Sequence, residues 1–355
     1  MNKVIQPIHV YSLLFLSVSF LTHFILIPTI FTVVEREAWI SALVSLIPIF
    51  LFALFISRIT SSLNQVPFLE LSLFQIRPLY FGIITICIFY LISSTFVSLK
   101  FTIIWAEESF NSDYPYFITV ILFILLCFYG SLKGIKTIAI QSLIICTLYI
   151  FLFVLLNLGN SMNNEYELIL PVNTSNTSSI LWGILYICIG ILEVGFILIF
   201  LNGYVKERKN SKGIFVFSIL FVFLVFITIV TTISEFGIYV TQKMIFPINE
   251  QWRVLSFGKY FTRMDSLSVL QILSMAFIRI CLFMYLVSSF FKNRKLILFM
   301  CYLCLTIGLL IPWSVTDFLS FIKNFYLLFI FVFLFLFITG IYVLEKKQKG
   351  VKNFD

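Results

Sequence analysis

Ten stretches of this chain are apolar on every side, without the polar stripe that a soluble helix turns toward water. They run 8–34, 38–56, 79–104, 116–129, 135–158, 180–201, 214–238, 267–290, 296–311 and 318–344. A helix needs about 20 residues to cross a bilayer core, so runs of this kind predict transmembrane helices. Lipid supplies no hydrogen bonds, and a helix satisfies its backbone within one segment. The pattern therefore predicts an all-α integral membrane protein of about ten helices. The stretches between runs reach only about 20–28 residues, too short for a separate soluble domain, so 1–355 reads as one membrane domain.

Composition agrees. Of 355 residues, 61% are hydrophobic and 11% charged, against about 25% charged in a soluble domain. The net charge of +8 would raise nucleic acid as a partner, but the basic residues sit in short loops with no basic face, which excludes that reading. All seven cysteines fall inside apolar runs, so they form no secreted disulfide framework. Cys301 and Cys304 make a CxxC, read as packing because no second ligand cluster accompanies it. No phosphate-binding glycine loop, HExxH or GxSxG occurs, so neither an enzyme nor a cofactor is expected. No small-residue cleavage site precedes Glu35, and the first helix is expected to serve as its own insertion signal.

Loop charge gives the helices a direction. With the N-terminus inside, sixteen Lys and Arg fall on inner segments and six on outer loops, while Lys100 and Arg279 lie within helices. This predicts a cytoplasmic N-terminus and C-terminus and an even number of spans. The outer loop 239–266 holds four of the six outer positives. Within it Ile245, Ile248, Trp252 and Leu255 are spaced 3, 4 and 3, predicting an amphipathic helix that lies on the membrane. The inner loop suggests another at 68–76. Asn173 and Asn176 each begin an Asn-Thr-Ser triplet, read as loop composition.

Ionisable residues at depth are the informative ones, each costing roughly 2.5–3.5 kcal/mol at a helix centre. His23, Glu193 and Arg279 lie near the middle of the first, sixth and eighth helices. Glu193 and Arg279 should face one polar cavity, either paired or binding a ligand's opposite charges; the competing reading is a structural interhelical salt bridge. A lone histidine at depth often only bonds a neighbouring helix. Lys100 and Glu235 sit near outer helix ends, where snorkelling suffices.

Pro28 in helix one and Gly183, Gly190 and Gly195 in helix six mark possible breaks, tolerated in lipid only beside a cavity. Ten helices divide as five plus five, 8–158 and 180–344, and because five is odd the halves run in opposite senses. That predicts an inverted-repeat, transporter-like fold.

Three motifs carry a family resemblance. The first is Ile25-Leu26-Ile27-Pro28, followed by Glu35, Ala38, Trp39, Ile40 and Ser41. The second is Gly190-Ile191-Leu192-Glu193. The third is Pro247, then Arg253 to Gly258, then Arg263-Met264-Asp265-Ser266-Leu267. Over its whole length the chain resembles the B subunits of bacterial spore germinant receptors, the GerAB-like endospore germination permeases, themselves similar to amino acid/polyamine/organocation transporters. It departs where the family has glycines in helix one: Leu21-Thr22-His23 stand there, implying a less broken helix and a ligand other than a simple amino acid. The family's proline after the helix-six glutamate is also missing, with Leu201-Asn202 near that place.

The resemblance implies a multi-pass protein of the spore inner membrane. It would bind a small nutrient germinant and act with A-type and C-type receptor subunits. Thr22, His23, Gly190, Glu193 and Arg279 are the expected ligand-lining residues, Arg279 on burial cost alone. An ion-coupled transporter of amino acids would use the same cavity, with Glu193 as proton acceptor or cation ligand. A helical scaffold or ion-conducting subunit would keep the buried charges as structure.

Overall fold

The structure is a computed structural model and describes residues 4–63, 77–109, 115–170, 177–206, 211–257, 261–262 and 264–352. The expected helix at 68–76, Asn173 and Asn176, and Gly258 and Arg263 of the third motif lie outside the described residues. Each of the ten apolar runs is helical, and the chain is an all-α membrane protein. The helices are α1 Pro7–Phe20, α2 Ile27–Val34, α3 Ala38–Val44, α4 Leu46–Ser62, α5 Arg77–Ser109, α6 Tyr116–Leu132, α7 Ile135–Gly159, α8 Thr177–Leu201, α9 Ser211–Phe236, α10 Ile238–Thr241, α11 Pro247–Val254, α12 Ser266–Ser289, α13 Arg294–Leu310, α14 Val315–Phe321 and α15 Leu327–Lys352. A two-residue ribbon pairs β1 Ser256–Phe257 with β2 Phe261–Thr262.

Seven of these segments are long and apolar enough to cross a bilayer, the first being the continuous stretch Pro7–Val44. Leu46–Ser62 and Tyr116–Leu132 are apolar but shorter.

Proline sets the irregularities at the start. Pro28 has no N–H for the carbonyl four residues back, and its ring crowds that carbonyl. The chain answers with a π turn over Leu21–Leu26, in which the Ile27 N–H bonds the Thr22 carbonyl. Helix one is therefore widened rather than unwound, as its lack of mid-helix glycines implied. Pro48 acts in the same way on Val44, where α3 ends and α4 begins. A second π turn, Ile322–Tyr326, joins α14 to α15 with no proline behind it.

The expected break in helix six is absent: α8 runs unbroken through all three of its glycines. They serve close packing instead. A Cβ on Gly190 would strike the Phe221 ring, and one on Gly195 would stand 2.8 Å from Ile56. Gly183 likewise admits Ser41. In lipid, small residues are what let helices approach this closely.

Burial sorts the helices into layers. Most of α8 is buried, whereas most of α7 is not. The stretch Pro7–Val44 and α12 are also largely enclosed. These three form the interior, and α12 packs on α1, α5, α6 and α7.

Helix α11 forms as its spacing predicted, but it does not lie on the membrane. Ile248, Trp252 and Leu255 are buried against Leu152 and Leu156 of α7. Trp252 Nε1 donates to Gln271 Oε1 of α12 at 2.8 Å, and Ser268 Oγ donates to Asn249 Oδ1 at 2.8 Å. Gln251 Nε2 reaches Glu235 Oε2 of α9 at 3.1 Å. The apolar face is thus covered by protein, and α11 caps one end of the bundle. Lys100 also departs from expectation. It is buried rather than snorkelling, and its Nζ donates to the Tyr116 hydroxyl at 3.0 Å.

Candidate functional site

Glu193 of α8 and Arg279 of α12 meet in the interior, each with a fully buried side chain. Arg279 NH1 bonds Glu193 Oε1, and NH2 donates to Oε2 at 3.1 Å. Two parallel bonds of this kind hold both position and plane.

The rest of the guanidinium is satisfied by serines. Nε donates to Ser98 Oγ at 3.0 Å and NH2 to Ser94 Oγ at 2.7 Å. NH1 donates to the Ser17 carbonyl at 2.9 Å and lies 3.1 Å from its hydroxyl. All five guanidinium N–H groups therefore have acceptors. Ser98 gives its own proton to the Ser94 carbonyl, which leaves its lone pairs for Arg279. Tyr90 donates its hydroxyl to Glu193 Oε2 at 3.1 Å. The Phe283 ring, one turn along α12, lies 4.6 Å from the guanidinium carbon, within cation–π range. Tyr326, the last residue of the second π turn, is buried within electrostatic reach of both charges.

The cluster draws on α1, α5, α8 and α12. Tyr90, Ser94 and Ser98 follow one another at four-residue steps, so they line one face of α5. That stripe, and Ser17, were missed in the sequence. The signal was there, as hydroxyls repeating every fourth residue of an apolar helix.

The other expected site residues gather elsewhere. Thr22 and His23 stand on the first π turn, and Thr22 Oγ1 donates to the Val18 carbonyl at 2.7 Å. His23 Nδ1 lies 3.5 Å from Thr228 Oγ1 of α9, at the limit of hydrogen bonding, with Tyr149 and Phe153 of α7 around its ring. Thr22, His23 and Phe221 border a cavity of about 10 Å³, room for one water at most. Gly190 packs on that same Phe221 ring.

Among the described residues, the five expected site residues form two groups rather than one. The structure pairs Glu193 with Arg279 and groups Thr22, His23 and Gly190 about Phe221. No group of three or more metal-ligating side chains occurs among the described residues.

Comparison with known proteins bears on both fold and site. The sequence profile of a family described as "spore germination protein" matches residues 5–294. That span includes Ser17, Tyr90, Ser94, Ser98, Glu193 and Arg279. The chain is also 26% identical over 324 residues to spore germination protein XB of Bacillus anthracis, covering 88% of this chain and 89% of that protein.

Proposed function

The chain belongs to the spore germination protein family, and from that premise we propose that it is the germinant-sensing membrane subunit of a spore germinant receptor. It is a multi-pass membrane protein with a germination-related, permease-type role. In the proposed arrangement ten helices form two inverted repeats, 8–158 and 180–344, with both termini cytoplasmic and the α11 end facing outward. A-type and C-type subunits in the spore inner membrane read its state.

The observation that carries the reading is the Glu193–Arg279 pair at the junction of four helices. Removing one partner of such a buried pair costs about 3–5 kcal/mol. A ligand that offered only one charge would leave the other stranded. A small nutrient bearing both charges satisfies Arg279 and Glu193 separately and lets α8 and α12 part. Its differential affinity for the parted state is the signal. Gly190, Thr22 and His23 line the path that opens when Phe221 moves.

The test is an alanine scan of Thr22, His23, Gly190, Glu193 and Arg279 in spores. Loss of the germinant dose response at Glu193 and Arg279, with the protein still present in the membrane, supports the assignment. An unchanged response at all five removes it. Proteoliposomes containing this chain alone separate the receptor from the transporter reading, since accumulation of solute without partner subunits identifies a transporter.

A further inference from the structure

Away from the buried pair, a cavity of about 240 Å³ opens at the α11 end of the bundle. Its walls bring the two π turns face to face. Phe24 and Ile25 come from the first, and Ile322 and Lys323 from the second. π turns concentrate at functional sites, because each spends a regular hydrogen bond to reposition side chains. Two of them bordering one cavity is the unusual feature of this fold.

The cavity is apolar within and basic at its mouth. Phe24, Ile25, Phe101 and Ile322 supply the apolar wall, while Lys243 and Lys323 are exposed at the rim. No carboxylate lines it among the described residues, and neither lysine has an ion-pair partner there. The neighbouring cavity on the far side of Lys243 holds two carboxylates, Glu108 and Glu250, and Glu250 is engaged by Arg253 at 2.8 Å. Two like charges above low-dielectric walls focus a positive potential into the cleft. Thr29 and Thr32 already donate their hydroxyl protons to the Ile25 and Thr29 carbonyls. Donors for a ligand therefore come from the two ammonium groups, Gln242 and the Ser320 hydroxyl.

We propose that this cavity is a second binding site, taking a small organic anion: a carboxylate with an apolar body. The carboxylate sits between Lys243 and Lys323, and the body lies on Phe24, Phe101 and Ile322. A net positive rim selects an anion over a zwitterion or a cation. Occupancy links the two π turns, and the second of these ends at Tyr326 beside the Glu193–Arg279 pair. The proposal is independent of the sensing role assigned to that pair, and it is read by direct binding without partner subunits.

The experiment is titration calorimetry on the full chain in nanodiscs of zwitterionic lipid, with isovalerate as the probe. Isovalerate is expected to bind, with isovaleramide and isoamylamine at least tenfold weaker. The double variant Lys243→Gln/Lys323→Gln should lose at least tenfold for isovalerate while keeping the wild-type melting temperature. Absence of isovalerate binding overturns the proposal, as does equal binding of the amide or an unchanged affinity in the double variant. A fourth arm uses nanodiscs containing phosphatidylglycerol. If these stabilise the protein through the two lysines and isovalerate does not, the site belongs to lipid headgroups and the proposal fails.

Discussion

Arg279 reaches the main-chain carbonyl of Ser17 at 2.9 Å, so α12 is tied to α1 by a bond that no side-chain change at Ser17 removes. Only the 3.1 Å contact to the Ser17 hydroxyl depends on that residue's identity. Ser17→Ala is therefore expected to cost about 1 kcal/mol or less, the range of one neutral hydrogen bond. Arg279→Lys keeps the charge but loses the planar fork that reaches the serines and both carboxylate oxygens together, and is expected to cost about 1.5–3 kcal/mol. Thermal unfolding of the two variants in nanodiscs measures the difference, and equal losses would contradict the geometry.

The ion pair itself is tested by exchange. Glu193→Arg and Arg279→Glu should each destroy germinant response and lower membrane abundance. The double exchange should recover part of both, because it restores neutrality inside the bundle. Recovery stays partial, since Ser17, Ser94 and Ser98 are placed for a guanidinium on α12 and Tyr90 for a carboxylate on α8. A double exchange no better than either single one argues against the pairing.

Gly190 makes a steric prediction. Its missing Cβ leaves room for the Phe221 ring, which an added methyl would strike. Gly190→Ala should cost about 1–3 kcal/mol through overpacking. Phe221→Leu in the same chain should recover most of that loss, measured as melting temperature of the single and double variants.

His23 separates packing from recognition. Its surroundings are aromatic, and its Thr228 contact is at the distance limit. His23→Phe should change stability by less than about 1.5 kcal/mol. If germinant response falls with stability unchanged, His23 acts on the ligand; if both hold, it is core.

A buried indole is one of the groups that hold the cap over the bundle end. Trp252→Phe leaves the Gln271 acceptor unpaired and is expected to cost about 1–3 kcal/mol. Adding Gln271→Leu should cost less than the sum of the two single changes, because the stranded group goes with its partner.

Much of the fold was legible because lipid leaves few alternatives. A residue-by-residue burial cost also singled out Glu193 and Arg279 without any structure. Their partners escaped notice because a serine or tyrosine in a membrane helix carries little penalty and so raises no alarm. Periodicity found the apolar face of α11, but spacing alone does not say whether lipid or protein covers a face. Glycines at 183, 190 and 195 signal either a bend or a close neighbour, and only the positions of Ser41, Phe221 and Ile56 decide. Lys100 was placed by its distance from a helix end, whereas its partner Tyr116 lies on a different helix.

The π turn at Leu21–Leu26 sets the register of helix one. It stores one residue more than an α-helical turn of the same height. Relaxing it to α geometry advances everything before it by about 100° and about 1.5 Å. Ser17 lies on that side, so its carbonyl would swing out from under Arg279 as the helix turned like a key. The polar cluster and the winding of helix one are therefore set together.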